Sequence, residues 1–261
     1  MTARLLCRVD GPIGWIVFDN PLHRNAITFS MWEALHTAAK QMASDAAVNV
    51  VVVRGEGGKA FVSGADIAEF ETLRSKPEQV ARYRAVADGA TLALQDVGKP
   101  VIAMIDGYCL GGGISIALAC DLRLAGRRAV FGIPAAKLGV GYELPGVRKL
   151  VDLVGPAKAK EIFFTATRYE ASDALAMGLV NAVVDDERLE SFVVEKAMQI
   201  AANAPLTLAS IKTIVGELMK DQDSRDDDLC EQVVTRCFES DDYREGRLAF
   251  LEKRVPRFNG T

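Results

Sequence analysis

Two stretches of the chain offer main chain rather than side chains to chemistry. DGYCLGGGISIALACD, residues 106–121, sets Gly111, Gly112 and Gly113 between an apolar run and a helical pattern. KAFVSGADIAEF, residues 59–70, sets Ala65 just after Gly64 at what reads as another helix start. Each glycine costs about 1 kcal/mol against alanine inside a helix, so three together imply that something must approach a bare backbone. The first amides of a helix have no partner within it and lie at the positive end of its dipole. The N–H groups of Gly112 and Ala65 are therefore candidates to point at one oxygen acquiring negative charge, as an oxyanion hole does.

Other glycine-rich chemistries fail on spacing. A dinucleotide fingerprint beginning at Gly111 and Gly113 needs a third small residue where Ile116 stands, and no Gly-Lys-Ser/Thr follows the triplet as a phosphate-binding loop requires. GISIA, residues 113–117, departs at its last position from the G-x-S-x-G elbow of serine hydrolases, which would make Ser115 a nucleophile. That fold places its histidine after the serine, and the only histidines are His23 and His36.

The elements that position these turns alternate. GWIVFDNP (14–21) reads as a strand, and SMWEALHTAAKQMASD (30–45) follows with helical periodicity and Ser30 as candidate N-cap. VNVVVVRG (48–55) is an apolar run of the buried-strand kind, followed by a glycine-rich loop and GADIAEF opening a helix; PVIAMIDG (100–107) repeats the pattern ahead of the triplet. LRLAGRRAVFGIP (122–134) reads as a hairpin-type pair, and strands nearly cease after Lys149. PAKAKEIFFTA, EASDALAMGL, ERLESFVVEKAMQIAANAP and TLASIKTIVGELMKD then form a helical second half. The expectation is an α/β core with a helical appendage, and the charged MKDQDSRDDDLCEQ (219–232) is a solvated helix connection.

Composition bounds the function. With 261 residues, 49% hydrophobic, the chain can bury a sizeable core. A net charge of -4 with interspersed signs offers no basic stripe to a nucleic acid. Five cysteines without a C-x-x-C pair, and only two histidines, indicate neither a disulfide framework nor a metal site. A reduced, cytoplasmic setting is expected, with no export signal. Asp106, four glycines and a serine interrupt the apolar stretch 100–120, so no membrane span is expected either.

AFVSGADI, DGYCLGGG about forty residues later and the terminal EGRLAFLEKRVPRF together resemble the enoyl-CoA hydratase/isomerase, or crotonase, family, with likeness running from NPLHRNAIT to the final RF. The resemblance implies a spiral of repeated ββα units over residues 1–200 and a helical C-terminal region over 201–261 that drives trimers, commonly paired into hexamers. It also implies an acyl-CoA substrate, coenzyme A entering only as part of the thioester and no separate cofactor. The thioester carbonyl would lie between the N–H groups of Ala65 and Gly112, with Asp66 and Ile67 in the same turn. Arg24, in LHRNA, would approach the CoA phosphates or pantetheine, and Phe250 and Lys253 the nucleotide held by a neighbouring subunit. Family members often carry a lysine shortly after GADI, where this chain has Ala68 and Glu69.

Hydratases of that family activate water with two glutamates, one in GGGxE and one in FGxPE. Here the positions are Ser115 and Ala135. Serine is a poor general base and alanine cannot move a proton, although such catalysis typically supplies 10²- to 10⁴-fold. The expectation is a lyase-type acyl-CoA enzyme that stabilises a thioester enolate without the two-glutamate route. Two alternatives stand beside it. Decarboxylation of a malonyl-type thioester needs no base, and KLGVGYELPGV (137–147) resembles the segment of methylmalonyl-CoA decarboxylases that carries a tyrosine, here Tyr142. A non-catalytic acyl-CoA-binding subunit is the other. Glu143, then Glu69, are the remaining carboxylate candidates; Asp66 reads as support for its loop.

Overall fold

The computed structural model describes residues 3–261. β1 (Arg4–Asp10) and β2 (Ile13–Asp19) form an antiparallel hairpin pairing Arg4 with Asp19 and Asp10 with Ile13. α1 (Phe29–Ser44) leads to β3 (Val50–Gly55) and β4 (Ala60–Val62), and α2 (Phe70–Leu73) and α3 (Pro77–Gln95) lead to β5 (Val101–Ile105) and β6 (Tyr108–Leu110). α4 (Gly112–Ala119) is followed by β7 (Leu122–Gly126), β8 (Val130–Gly132), α5 (Ala135–Leu138), α6 (Leu144–Thr165) and β9 (Tyr169–Glu170). The chain closes with α7 (Ala171–Ala176), β10 (Ala182–Val184), α8 (Leu189–Ala201), α9 (Pro205–Leu218), α10 (Asp227–Glu239) and α11 (Asp241–Glu252).

The strands divide between two sheets. Six lie in the order β1-β2-β3-β5-β7-β10 and four in the order β4-β6-β8-β9. From β3 to β8 each turn of the resulting spiral gives one strand to the large sheet, the next to the small sheet, and then a helical return. Parallel pairing of β3 with β5 and of β5 with β7 buries both faces, which explains the apolar runs Val50–Val53 and Val101–Ile105. Val51, Val53, Ala103 and Ile105 face a core shared with α1 and α3, while Val52, Ile102 and Leu124 pack against Leu189 and Val193 of α8. The fold is mixed α/β with a helical C-terminal region, as the sequence suggested.

Several local expectations change. LRLAGRRAVFGIP is no hairpin: β7 pairs in parallel with β5, and β8 pairs in parallel with β6 of the other sheet. Two adjacent apolar runs show that two strands exist, not which sheet each joins. Strands also persist beyond Lys149 in β9 and β10, both too short to give a periodic signal. β1, largely exposed, was hidden by its mixed composition. The cap of α1 is Thr28, whose hydroxyl accepts from the Met31 N–H at 3.3 Å, rather than Ser30. α6 spans more than PAKAKEIFFTA and breaks at Gly155, where φ is 77°, ahead of Pro156.

Buried polar groups fasten the turns between sheets. Asn25, fully buried, donates to the carbonyls of Glu56 and Ala60 and accepts from the Asn20 N–H. Arg123, 5% exposed, donates to the carbonyls of Leu179, Cys120 and Ala117, an internal cation satisfied by the C-terminal end of α4 and the loop beyond α7. All five cysteines are unpaired. No helix among the described residues is long and apolar enough to cross a membrane.

Candidate functional site

The two glycine-bearing turns meet because they leave adjacent strands. β4 and β6 pair in parallel, Ala60 with Tyr108 and Val62 with Cys109, so the chain exits both at the same edge. Contact between the exits is close enough that a side chain on Gly113 would collide with the Val62 carbonyl. Gly111 turns the chain into α4 with φ at 50°, the left-handed region that glycine enters without steric cost.

Amide directions follow from the hydrogen bonds. The Ile27 N–H donates to Gly64 O at 2.8 Å, and Ile27 O accepts from the Asp66 N–H at 2.8 Å. Ile27 and Ala65 are thus bridged in parallel, and the Ala65 N–H between those two bonds is turned to the opposite side. On α4, the Gly111 N–H is taken by Gly132 O and the Ser115 N–H by Gly111 O, while Gly112 occupies the first helical position. Neither the Ala65 nor the Gly112 N–H has an acceptor in the protein among the described residues. A Cβ built on Gly112 would lie 3.8 Å from the Ala65 nitrogen and 3.3 Å from the Trp32 ring. The space that the missing side chain leaves is therefore bounded by both amides and an indole.

Tyr142 reaches the same turn from the loop between α5 and α6. Its hydroxyl lies 3.8 Å from where a Gly111 side chain would start, and its ring meets Phe163 edge-on at 5.0 Å. Burial pushes the phenol up to about 12, with the Arg74 guanidinium pulling weakly the other way. The group is consequently a held proton rather than a phenolate at neutral pH.

The carboxylates candidate from sequence are engaged elsewhere. Glu143 pairs with Arg84, linking the start of α6 to α3. Glu69 accepts from the Phe29 N–H at 2.7 Å, tying its turn to the start of α1. Asp66 accepts from the Ala68 N–H at 3.0 Å, a local cap that supports its loop. Ser115 is half-buried on the first turn of α4, and Ala135 is buried at the start of α5.

Of the remaining candidates, Arg24 and Ile67 border the Ala65 turn, and Phe250 and Lys253 lie apart from it. Arg24, exposed and left-handed at φ 53°, stacks 5.1 Å from the Tyr108 ring, which Arg168 also approaches at 5.6 Å. The Arg24 carbonyl accepts from the Ser63 N–H, so this arginine borders the Ala65 turn. Ile67 is 61% exposed on that same turn. Phe250, 84% exposed, lines an apolar groove of about 800 Å³ among α9, α10 and α11, and Lys253 caps α11; neither belongs to the amide turns of its own chain. Sequence reasoning missed Trp32 and Tyr83, which form the wall through an indole N–H donating to the phenol at 2.8 Å. It also missed Arg74, whose setting in a polar linker gave no signal.

Comparison with known proteins places this geometry. Residues 9–261 match the enoyl-CoA hydratase/isomerase family. Crotonyl-CoA hydratase of Syntrophomonas wolfei is 33% identical over 243 residues, 93% of each chain. The probable enoyl-CoA hydratase of Bacillus subtilis is 34% identical over 256 residues, 97% of each. A crystal structure described as an enoyl-CoA hydratase/carnithine racemase from Magnetospirillum magneticum superposes with a TM-score of 0.95 at 35% identity, covering 100% of this chain and 97% of that one. A match that runs through both amide turns and on to the terminal helices leaves no part of the fold to a different origin, and the chain belongs to the enoyl-CoA hydratase/isomerase family.

Proposed function

We propose that the chain processes an acyl-CoA thioester by holding its carbonyl oxygen between the N–H groups of Ala65 and Gly112 and stabilising the enolate that forms when the α-carbon gains charge. The observation that carries this reading is two unsatisfied amides from separate turns bounding one small space. Such donors act on charge that exists only at the transition state and need no reorganisation. Arg24, beside the Ala65 turn, would meet the phosphates or pantetheine. Coenzyme A enters as part of the substrate, and no further cofactor has a role.

The reaction does not follow the two-glutamate hydration route, because Ser115 and Ala135 cannot take a proton from water at the rates carboxylates provide. A second reading, decarboxylation of a malonyl-type thioester, is favoured by Tyr142. The bond from the α-carbon to the carboxylate breaks, its electron pair enters the enolate, carbon dioxide leaves, and the phenol hydrogen passes to the α-carbon with solvent restoring it. The chain would work in a reduced, cytoplasmic setting. Trimers or hexamers are supported by the exposed apolar residues Ile211, Leu218, Phe238, Phe250 and Leu251 on the terminal helices.

The deciding experiment combines calorimetry with a turnover panel of enoyl-, 3-hydroxyacyl- and malonyl-type CoA thioesters. Binding with turnover of a substrate that passes through an enolate is expected, and that turnover should fall when Gly112 acquires a side chain. Binding without any turnover would make the chain a carrier or assembly subunit. Absence of binding would end the reading.

A further inference from the structure

A cation without an anion stands in the wall of this site. Arg74, the half-buried residue that ends α2, stacks its guanidinium 3.6 Å from the Tyr83 ring centre and 4.3 Å from that of Phe70. Its Nε is buried with no hydrogen-bond partner, and no carboxylate lies within ion-pair distance among the described residues. Arg123 is the contrast: an internal arginine whose nitrogens are met by three carbonyls. The two carboxylates that the sequence offered for this site are committed, Glu69 to the Phe29 amide and Glu143 to Arg84.

Stacking on aromatic faces partly compensates a desolvated guanidinium, yet buried polar atoms are ordinarily satisfied, and the buried Nε of Arg74 is not. A functional ligand is one physical reason to keep such a group. Its position follows from contacts: Gly112 abuts Trp32, Trp32 donates to Tyr83, and Tyr83 carries Arg74. The cation is thus separated from the amide pair by two aromatic side chains, and its charge is felt by Tyr142.

Resting on the thioester reading above, we infer that Arg74 recognises a carboxylate at the far end of the acyl group, so that the substrate class is the CoA monothioester of a dicarboxylic acid. A planar guanidinium matches a carboxylate with two parallel hydrogen bonds, which a neutral chain end cannot supply. The carboxylate is one that the reaction retains. A cation clamped on a leaving carboxylate would stabilise the ground state and oppose its departure. Discrimination against a neutral chain is correspondingly large, since the neutral ligand leaves the cation unpaired.

The experiment measures dissociation constants of succinyl-, glutaryl- and adipoyl-CoA beside butyryl-, valeryl- and hexanoyl-CoA, for the wild-type protein, Arg74→Gln and Arg74→Lys. At least one carboxylated ester should bind tenfold or more tightly than its neutral counterpart. That ratio should collapse toward one in Arg74→Gln and recover in part in Arg74→Lys. Neutral and carboxylated esters binding alike to the wild type would overturn the inference while leaving the thioester reading intact, and this comparison stands even if a variant does not fold. Equal weakening of both series by Arg74→Gln would reduce Arg74 to a packing group and also overturn it. No binding of any CoA ester would instead defeat the underlying reading.

Discussion

The Ala65 amide nitrogen stands 3.8 Å from the point where a Gly112 side chain would begin. Gly112→Ala therefore puts a methyl group into the space that the proposed oxyanion must enter. The variant should lose about 10²- to 10³-fold in kcat/KM toward a thioester that passes through an enolate, the scale of one lost oxyanion donor. Steady-state kinetics, with circular dichroism to verify folding, checks this. An active Gly112→Ala protein would refute the role given to the pair.

Tyr142→Phe keeps the ring against Phe163 and removes only the hydroxyl. If the phenol donates the proton, kcat should fall about 10²-fold, within the range of general acid catalysis, with melting temperature nearly unchanged.

The same residue has a signature in stability. Its folded value, about 12, lies above the ordinary tyrosine value of about 10. The contribution of the neutral phenol is fully present below pH 10 and is lost as pH rises through 12, because the unfolded chain releases its proton first. Unfolding free energies of the wild type from urea titration should fall more steeply above pH 10 than those of Tyr142→Phe, by at most about 3 kcal/mol in all.

Hydration offers a direct contrast. If Ser115 and Ala135 stand where hydratases of the family carry glutamates, as the resemblance implies, crotonyl-CoA should be hydrated about 10²- to 10⁴-fold more slowly than by an enzyme carrying both carboxylates. Loss of enoyl absorbance measures it, and a rate equal to that of a two-glutamate hydratase would remove the mechanistic distinction drawn here.

Asn25→Ala tests the scaffold. The change strands one buried carbonyl, one part-buried carbonyl and one buried N–H, and should cost about 3 kcal/mol in urea unfolding. Because Asn25 adjoins Arg24 and the strand exit toward Ala65, KM for CoA esters should rise as well.

Legibility in the sequence divides along physical lines. The glycine triplet was visible because backbone chemistry leaves a compositional trace, glycine where a side chain would obstruct at the start of α4, whereas Ala65 proves to precede the Asp66 cap of a short 3-10 turn. β3 and β5 were equally plain, since strands buried on both faces need continuous apolar residues. The assignment of β7 and β8 to different sheets was not, because sheet membership is decided by partners distant in the chain. Glu69 and Glu143 read as available carboxylates, and only the folded positions of Phe29 and Arg84 show what engages them. Arg74 sits in a segment of ordinary polar composition, and it becomes a half-buried cation only when Tyr83 of α3 and Phe70 of α2 close around it.

Pairing of β4 with β6 separates two design problems that would otherwise compete. The distance between the two proposed donors is set by neighbouring strands, whereas α2 and α3, which bear Arg74 and Tyr83, form an excursion that leaves β4 of one sheet and returns to β5 of the other. On the proposed reading, mutation could lengthen, shorten or recharge that excursion, and so explore new acids, without detuning the proposed grip on the thioester. One catalytic frame can in this way be refitted to many cargoes.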